Sequence, residues 1–322
     1  MAIGTSIQEA ASLLKEGKLV AIPTETVYGL AANGLKPEAV TEIFRVKNRP
    51  FFNPLILHSD SISKIESFIS SFSGPMQLLA EKFWPGPMTL LLPRNPNVIH
   101  DLVTAGLPRV AVRIPDHPVA LSLLKELDFP LAAPSANPFG YVSPTSAEHV
   151  AKQLGDKIPY ILDGGPCKVG IESTILALGK NEKGVIFRKG GLSAEAIAEV
   201  LGYLPAFVKK QGNPDAPGML KSHYAPSTRL VFGNLDMLQE QFSGKRIAVL
   251  SFSKIRAAIP EMNQKVLSTS GDMDEAARNL FHQLREIDSM DVDIILAERV
   301  PNIGLGRAIN DRLKRAAADR QL

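Results

Sequence analysis

Leu19-Val20-Ala21-Ile22 runs directly into Pro23-Thr24-Glu25-Thr26-Val27-Tyr28-Gly29-Leu30. An apolar run ended by proline reads as a buried strand, and hydroxyls, a carboxylate and a phenol begin where it stops. Further on, Lys47-Asn48-Arg49-Pro50-Phe51-Phe52-Asn53-Pro54-Leu55 puts two cations one residue apart. They fall between a helical pattern and a second apolar run, Leu55-Ile56-Leu57. Open α/β sheets receive their ligands at strand ends. A planar guanidinium beside a point-like ammonium suits an anion carrying several phosphates.

Outward from these stretches the pattern stays α/β. Ser6-Ile7-Gln8-Glu9 has capping-box spacing, and Gly17 supplies a stop. Pro37 to Val46 reads as a helix, as do 76–83, 118–127, 146–154 and Ser193–Leu201. Strands are expected at 18–22, 55–57, 88–92, 110–114, 131–133, 160–162, 174–178 and 185–187. Some lie too close in sequence for helical crossovers, so the expected sheet is twisted and partly antiparallel, with helices covering it. Residues 204–226 hold four prolines and two glycines with no periodicity, a linker by composition. Beyond it strands at 229–232, 246–251 and 293–297 alternate with helices at 235–242, 273–287 and 305–317. The expected organisation is a domain over 1–203, a Pro-rich linker over 204–227, and a smaller Rossmann-like parallel α/β domain over 228–322.

The net charge is 36 − 33 = +3, too small for a protein that grips nucleic acid by charge alone. Cys167 is the one cysteine, so neither an internal disulfide nor a zinc cluster can be built, which fits a reducing compartment. There is no apolar run of 18 residues and no basic-then-apolar leader pattern. The expectation is a cytoplasmic protein with no membrane partner.

No Walker-type phosphate loop occurs, and Gly304-Leu305-Gly306-Arg307 lacks the third glycine of a dinucleotide fingerprint. It reads as a helix start needing a tight turn. The chemistry instead gathers at scattered strand ends. Ala133-Pro134-Ser135-Ala136-Asn137 follows one strand, Ser143-Pro144-Thr145 precedes a helix, and Gly170-Ile171-Glu172-Ser173-Thr174 precedes another strand. His58, Arg109, Arg113 and Arg188 flank or end strands. Each has a plain structural alternative: Ser143 or Thr145 as a helix cap, Ser135 and Asn137 as turn formers, His58 as a satisfied core histidine. Arg307, Arg312, Lys314, Arg315 and Arg320, interrupted by Asp311 and Asp319, read as a solvated helix face and not as an RNA patch.

Several of these phrases occur together in one order: Pro-Thr-Glu-Thr-Val-Tyr-Gly-Leu; Lys-x-Arg-Pro followed by Asn-Pro-Leu; Trp84-Pro85-Gly86-Pro87-Met88-Thr89; Pro134-Ser135-Ala136-Asn137; Ser143-Pro144-Thr145; Glu172-Ser173-Thr174; and His223-Tyr224-Ala225-Pro226. In this the chain resembles the threonylcarbamoyl-AMP synthase family, in its long form with a YrdC-like first domain. The resemblance implies synthesis of threonylcarbamoyl-AMP and pyrophosphate from L-threonine, bicarbonate and ATP. It further implies hand-over of the product to a tRNA threonylcarbamoyl transferase. It assigns Lys47 and Arg49 to catalysis and the triphosphate, with Mg²⁺ assisting. Asn53, Ser135, Ser143, Arg188 and His223 join them at ATP. Thr26, His58, Arg113, Ala133 and Ser173 fall to L-threonine, and Tyr28 lies adjacent. The linker becomes a lid carrying His223 over the nucleotide. Metal ligands, oligomeric state and the second domain's role are not given by the sequence. Two other readings stand beside this one: a carbamoyl-phosphate-using maturation factor, opposed by the absence of zinc-finger cysteines, and a non-catalytic RNA-binding module, opposed by the small charge.

Overall fold

The computed structural model describes residues 2–179, 181–208, 216–217, 219–220 and 222–318. Fifteen strands are present among them: β1 (Ala2–Gly4), β2 (Val20–Ile22), β3 (Gly29–Asn33), β4 (Ile56–His58), β5 (Met88–Pro93), β6 (Arg109–Arg113), β7 (Leu131–Ala132), β8 (Tyr160–Leu162), β9 (Thr174–Leu178), β10 (Gly184–Arg188), β11 (Ala206–Phe207), β12 (Leu230–Gly233), β13 (Ile247–Ser251), β14 (Gln264–Val266) and β15 (Ile294–Glu298). The first eleven form one mixed sheet in the order β1-β8-β2-β3-β7-β4-β6-β5-β9-β10-β11. Parallel and antiparallel pairs alternate irregularly across it: β4 lies parallel to β6, while β2–β3, β3–β7 and β5–β6 are antiparallel. The last four form a parallel sheet in the order β12-β15-β13-β14.

Local chemistry accounts for many boundaries. Ser6 accepts from the Glu9 amide to start the Ile7–Lys15 helix, as its capping spacing predicts. The Ala147–Leu154 helix is capped by Ser146, not by Ser143 or Thr145. Those two are thereby released from the capping role the sequence offered them. Helix Pro37–Lys47 ends on Asn48 in the left-handed conformation, φ 52°, and the Arg49 amide returns to the Phe44 carbonyl. That sharp stop turns Arg49 inward. Gly304, φ 48°, makes the tight turn expected before the Gly306–Ala316 helix. The strands β1, β3, β11 and β14 were not anticipated. β3 (Gly-Leu-Ala-Ala-Asn) is buried throughout, so it shows no alternation to read.

The two sheets do not sit apart. Val27, Val142, Ile171 and Tyr224 pack in one apolar cluster with Leu280, Phe281, Leu284, Ile309 and Leu313 of the second domain's helices. Gly170 holds φ 77°, and a Cβ there would strike the Arg278 backbone of helix Met273–Asp288. Glycine is required at that position on both counts. Arg285 of the same helix donates to the Val142 carbonyl and to Gln153 Oε1. The solvated-face reading of the C-terminal basic residues is corrected here. Arg312 is fully buried, Arg307 pairs with Glu195, and Arg315 pairs with Asp311. Only Lys314 of those described is exposed; Asp319 and Arg320 lie outside the described residues. The face is apolar at Ile309 and Leu313, and the guanidiniums beside it follow it inward.

Candidate active site

Loops at the strand ends converge on one cleft. The segment after β2 forms its floor. Thr24 Oγ1 donates to the Val27 carbonyl and accepts from the Thr26 and Val27 amides, a hydroxyl-closed turn that fixes Thr26. Tyr28 then pairs with the 134–144 segment: its amide donates to the Pro144 carbonyl and its carbonyl accepts from the Ala136 amide. This brings Ala133, Pro134 and Ser135 to the rim. The Tyr28 phenol itself points elsewhere, donating to the Gly165 carbonyl at 2.8 Å.

Three buried guanidiniums line the cleft: Arg49, Arg113 and Arg188. Arg49 is held by the Asn53 and Pro54 carbonyls at 3.1 and 2.7 Å. Arg188, the last residue of β10, donates to the Ser173 carbonyl and to Ser173 Oγ, both at 3.0 Å. Burial, and then the charge of Arg188, push Arg49 down to about 9. Burial also pushes Arg188 down to about 10. The two cations therefore face one space and repel across it, and among the described residues neither has a carboxylate ion-pair partner. An anion between them would relieve both strains. Arg113 differs: Nε donates to the Gly86 carbonyl, Nη1 to Thr26 Oγ1 at 2.9 Å, and Nη2 meets Glu25 Oε1 at 2.5 Å.

Of the residues expected at L-threonine, Thr26, His58, Arg113, Ala133 and Ser173 all line the cleft. Of those expected at ATP, Arg49, Ser135, Arg188 and His223 line it. Lys47, Asn53 and Ser143 stand behind its wall. Lys47 is 1% exposed, and its ammonium donates to the Ser135 and Asn137 carbonyls. Burial, and secondarily the charge of Arg49, hold its pKa well below the usual lysine value. Ser143 Oγ donates to Glu172 Oε1 at 2.5 Å. The Asn53 amide is fully buried without a partner on either atom among the described residues. His58 is pushed down to about 3 by burial and then by Arg113, so it is neutral near pH 7.

Pro217, His223 and Tyr224 close the cleft from the Pro-rich segment. The His223 amide reaches the Arg315 carbonyl, and the Ala225 amide reaches the Gly140 carbonyl at 2.9 Å. Residues 209–215, 218 and 221 of the expected linker lie outside the described residues. Sequence reasoning assigned no role to Glu172 or Tyr224, although both stood inside quoted motifs. Glu172 lines the cleft and is ion-paired to Arg312 at 2.8 Å.

Fold and site together define a two-domain α/β protein with an arginine-lined cleft suited to anionic ligands. The family model described as "Telomere recombination" matches residues 12–190, and that for "Threonylcarbamoyl-AMP synthase, C-terminal domain" matches 192–318. The chain is 41% identical over 326 positions to the threonylcarbamoyl-AMP synthase of Bacillus subtilis, covering 98% of this chain and 93% of that protein. It is 42% identical to that of Pyrococcus abyssi, covering 98% and 94%. The crystal structure of P. abyssi Sua5 complexed with L-threonine matches with a TM-score of 0.91 at 40% identity, over 98% of each chain. The chain belongs to the threonylcarbamoyl-AMP synthase family.

Proposed function

We propose that this cleft joins L-threonine, bicarbonate and ATP into threonylcarbamoyl-AMP, making the chain a nucleotidyltransferase for threonylcarbamoyladenosine formation in tRNA. The observation that carries the reading is the pair Arg49 and Arg188, buried in one cleft without a carboxylate ion-pair partner among the described residues. The threonine amine takes up the carbon of bicarbonate with loss of water. The resulting carbamate oxygen then attacks the α-phosphorus as its bond to pyrophosphate breaks. Both reactants are anionic, so the protein's task is to neutralise and align them.

In this reading Arg49 and Arg188 hold the polyphosphate. Lys47 acts from behind, fixing the 135–137 turn, and Asn53, Ser135, Ser143 and His223 belong to the nucleotide side. Thr26, His58, Ala133 and Ser173 shape the threonine side, and Arg113 is preset there by Glu25. A neutral His58 adds hydrogen bonding without adding charge. Among the described residues no group of three or more histidine, cysteine, aspartate or glutamate side chains could hold a metal ion. Glu25 and Glu172 are each engaged by arginine. Mg²⁺ enters, on this reading, as part of the nucleotide substrate. Pro217, His223 and Tyr224, at the cleft from the Pro-rich segment, act as a lid that keeps water from the mixed anhydride. The product passes to a tRNA threonylcarbamoyl transferase, since a charge of +3 offers little grip on tRNA itself. A cytoplasmic setting fits the single buried Cys167.

The test is pyrophosphate release by the full chain. It is expected only when ATP, L-threonine and bicarbonate are all present, together with a product of the mass of threonylcarbamoyl-AMP. Release without threonine or bicarbonate sinks the proposal. Turnover of carbamoyl phosphate would support the maturation-factor reading instead.

A further inference from the structure

Glu172 poses an electrostatic problem. Glu172 is among the residues lining the cleft that holds Arg49 and Arg188, and an uncompensated carboxylate there would repel an entering polyanion or capture one of the cations meant for it. Arg188 already lies within electrostatic reach of it. A third guanidinium meets the carboxylate first. Arg312, in helix Gly306–Ala316 of the second domain, donates from Nε to Glu172 Oε2 at 2.8 Å, while Ser143 occupies Oε1. Arg312 is 0% exposed and heads the fully buried side chains by volume. Its guanidinium also lies 4.9 Å from the centroid of the Tyr224 ring. Docking two domains does not require such a residue, since Arg307 and Glu195 form a partly exposed pair across the same junction. A buried cation is costly unless its charge is used.

From this geometry we infer that Arg312 is a positioning residue for the reaction. The second domain inserts it to occupy the Glu172 carboxylate, which leaves Arg188 free for the polyphosphate and keeps Tyr224 aligned over the cleft. The inference rests on the ATP reading given above.

It is tested on the full chain with Arg312→Gln and with the double variant Glu172→Gln/Arg312→Gln. ATP binding is followed by calorimetry, and KM and kcat by pyrophosphate release. Arg312→Gln is expected to raise both Kd and KM for ATP at least tenfold, with kcat at saturation within threefold of wild type. The double variant removes the stray charge and is expected to return Kd to within threefold. A single variant with wild-type affinity overturns the inference. So does a folded double variant that binds as weakly as the single, because the role is then structural, or a double variant that does not fold. Should the single variant alone fail to fold, the double decides. A wild-type chain that binds no ATP removes the functional reading itself, and the inference with it.

Discussion

Arg113, which lines the cleft, meets Glu25 at 2.5 Å, each side chain only 3% exposed. With Nε on Gly86 and Nη1 on Thr26, the guanidinium is oriented before any substrate arrives. Removing one partner of such a pair strands a buried charge, at a cost of about 3–5 kcal/mol. Glu25→Gln should therefore lower the thermal midpoint markedly and raise KM for L-threonine more than KM for ATP. An unchanged midpoint together with an unchanged threonine KM would show that the pair neither stabilises nor presets the site.

Arg49 and Arg188 repel across a shared space. Arg49→Gln and Arg188→Gln should each raise KM for ATP at least tenfold, while leaving stability unchanged or slightly improved, because each removes a buried like charge. Urea unfolding beside steady-state kinetics checks both parts. A large loss of stability with normal ATP affinity would assign these residues to the scaffold.

Tyr28 serves the loop beneath the site. Its phenol donates to the Gly165 carbonyl, with Asp163 Oδ1 as the alternative acceptor for the same proton, and accepts from the Gly164 amide. Tyr28→Phe should cost roughly 1–2 kcal/mol of stability while leaving both KM values within twofold. A selective rise in threonine KM would bring Tyr28 back into the site.

Tyr224 is 1% exposed, holds φ 65°, and its hydroxyl finds no hydrogen-bond partner among the described residues. Tyr224→Phe deletes an unsatisfied polar atom and should be neutral or mildly stabilising. The lid proposal adds that His223→Ala with Tyr224→Phe shortens the lifetime of enzyme-held threonylcarbamoyl-AMP. Product lifetime and pyrophosphate release at wild-type levels would remove that role.

Buried histidines set an acid limit. His58 is pushed down to about 3 and His149 to about 4, burial leading in both, and His223 lies well below its ordinary value. Their folded pKa values lie below the unfolded one near 6.5, so unfolding takes up protons between the two. Stability should be complete above about pH 6.5 and fall as pH drops toward 4, by at most about 1.4 kcal/mol per pH unit for each titrating histidine. Denaturation midpoints across that range measure the slope, and His58→Gln should flatten it. Acid stability that stays level to pH 4 contradicts the prediction.

The alternation of apolar runs and capped helices by itself determined the mixed sheet, the parallel second sheet and nearly every long element, because burial and capping act over a few residues. Motif order likewise named the strand-end loops, since turn chemistry at Thr24–Tyr28 and Asn48–Arg49 is local. What it could not decide was direction. The motif around Lys47 does not record that its ammonium donates to the Ser135 and Asn137 carbonyls, and the charge pattern around Arg312, which reads as a solvated face, does not record that it lies buried at the domain junction. Glu172 and Arg312 stand 140 residues apart, and no local pattern records which charge will face which. Only packing of the second domain against the first brings them together, where the low dielectric makes the pairing of each buried charge decisive.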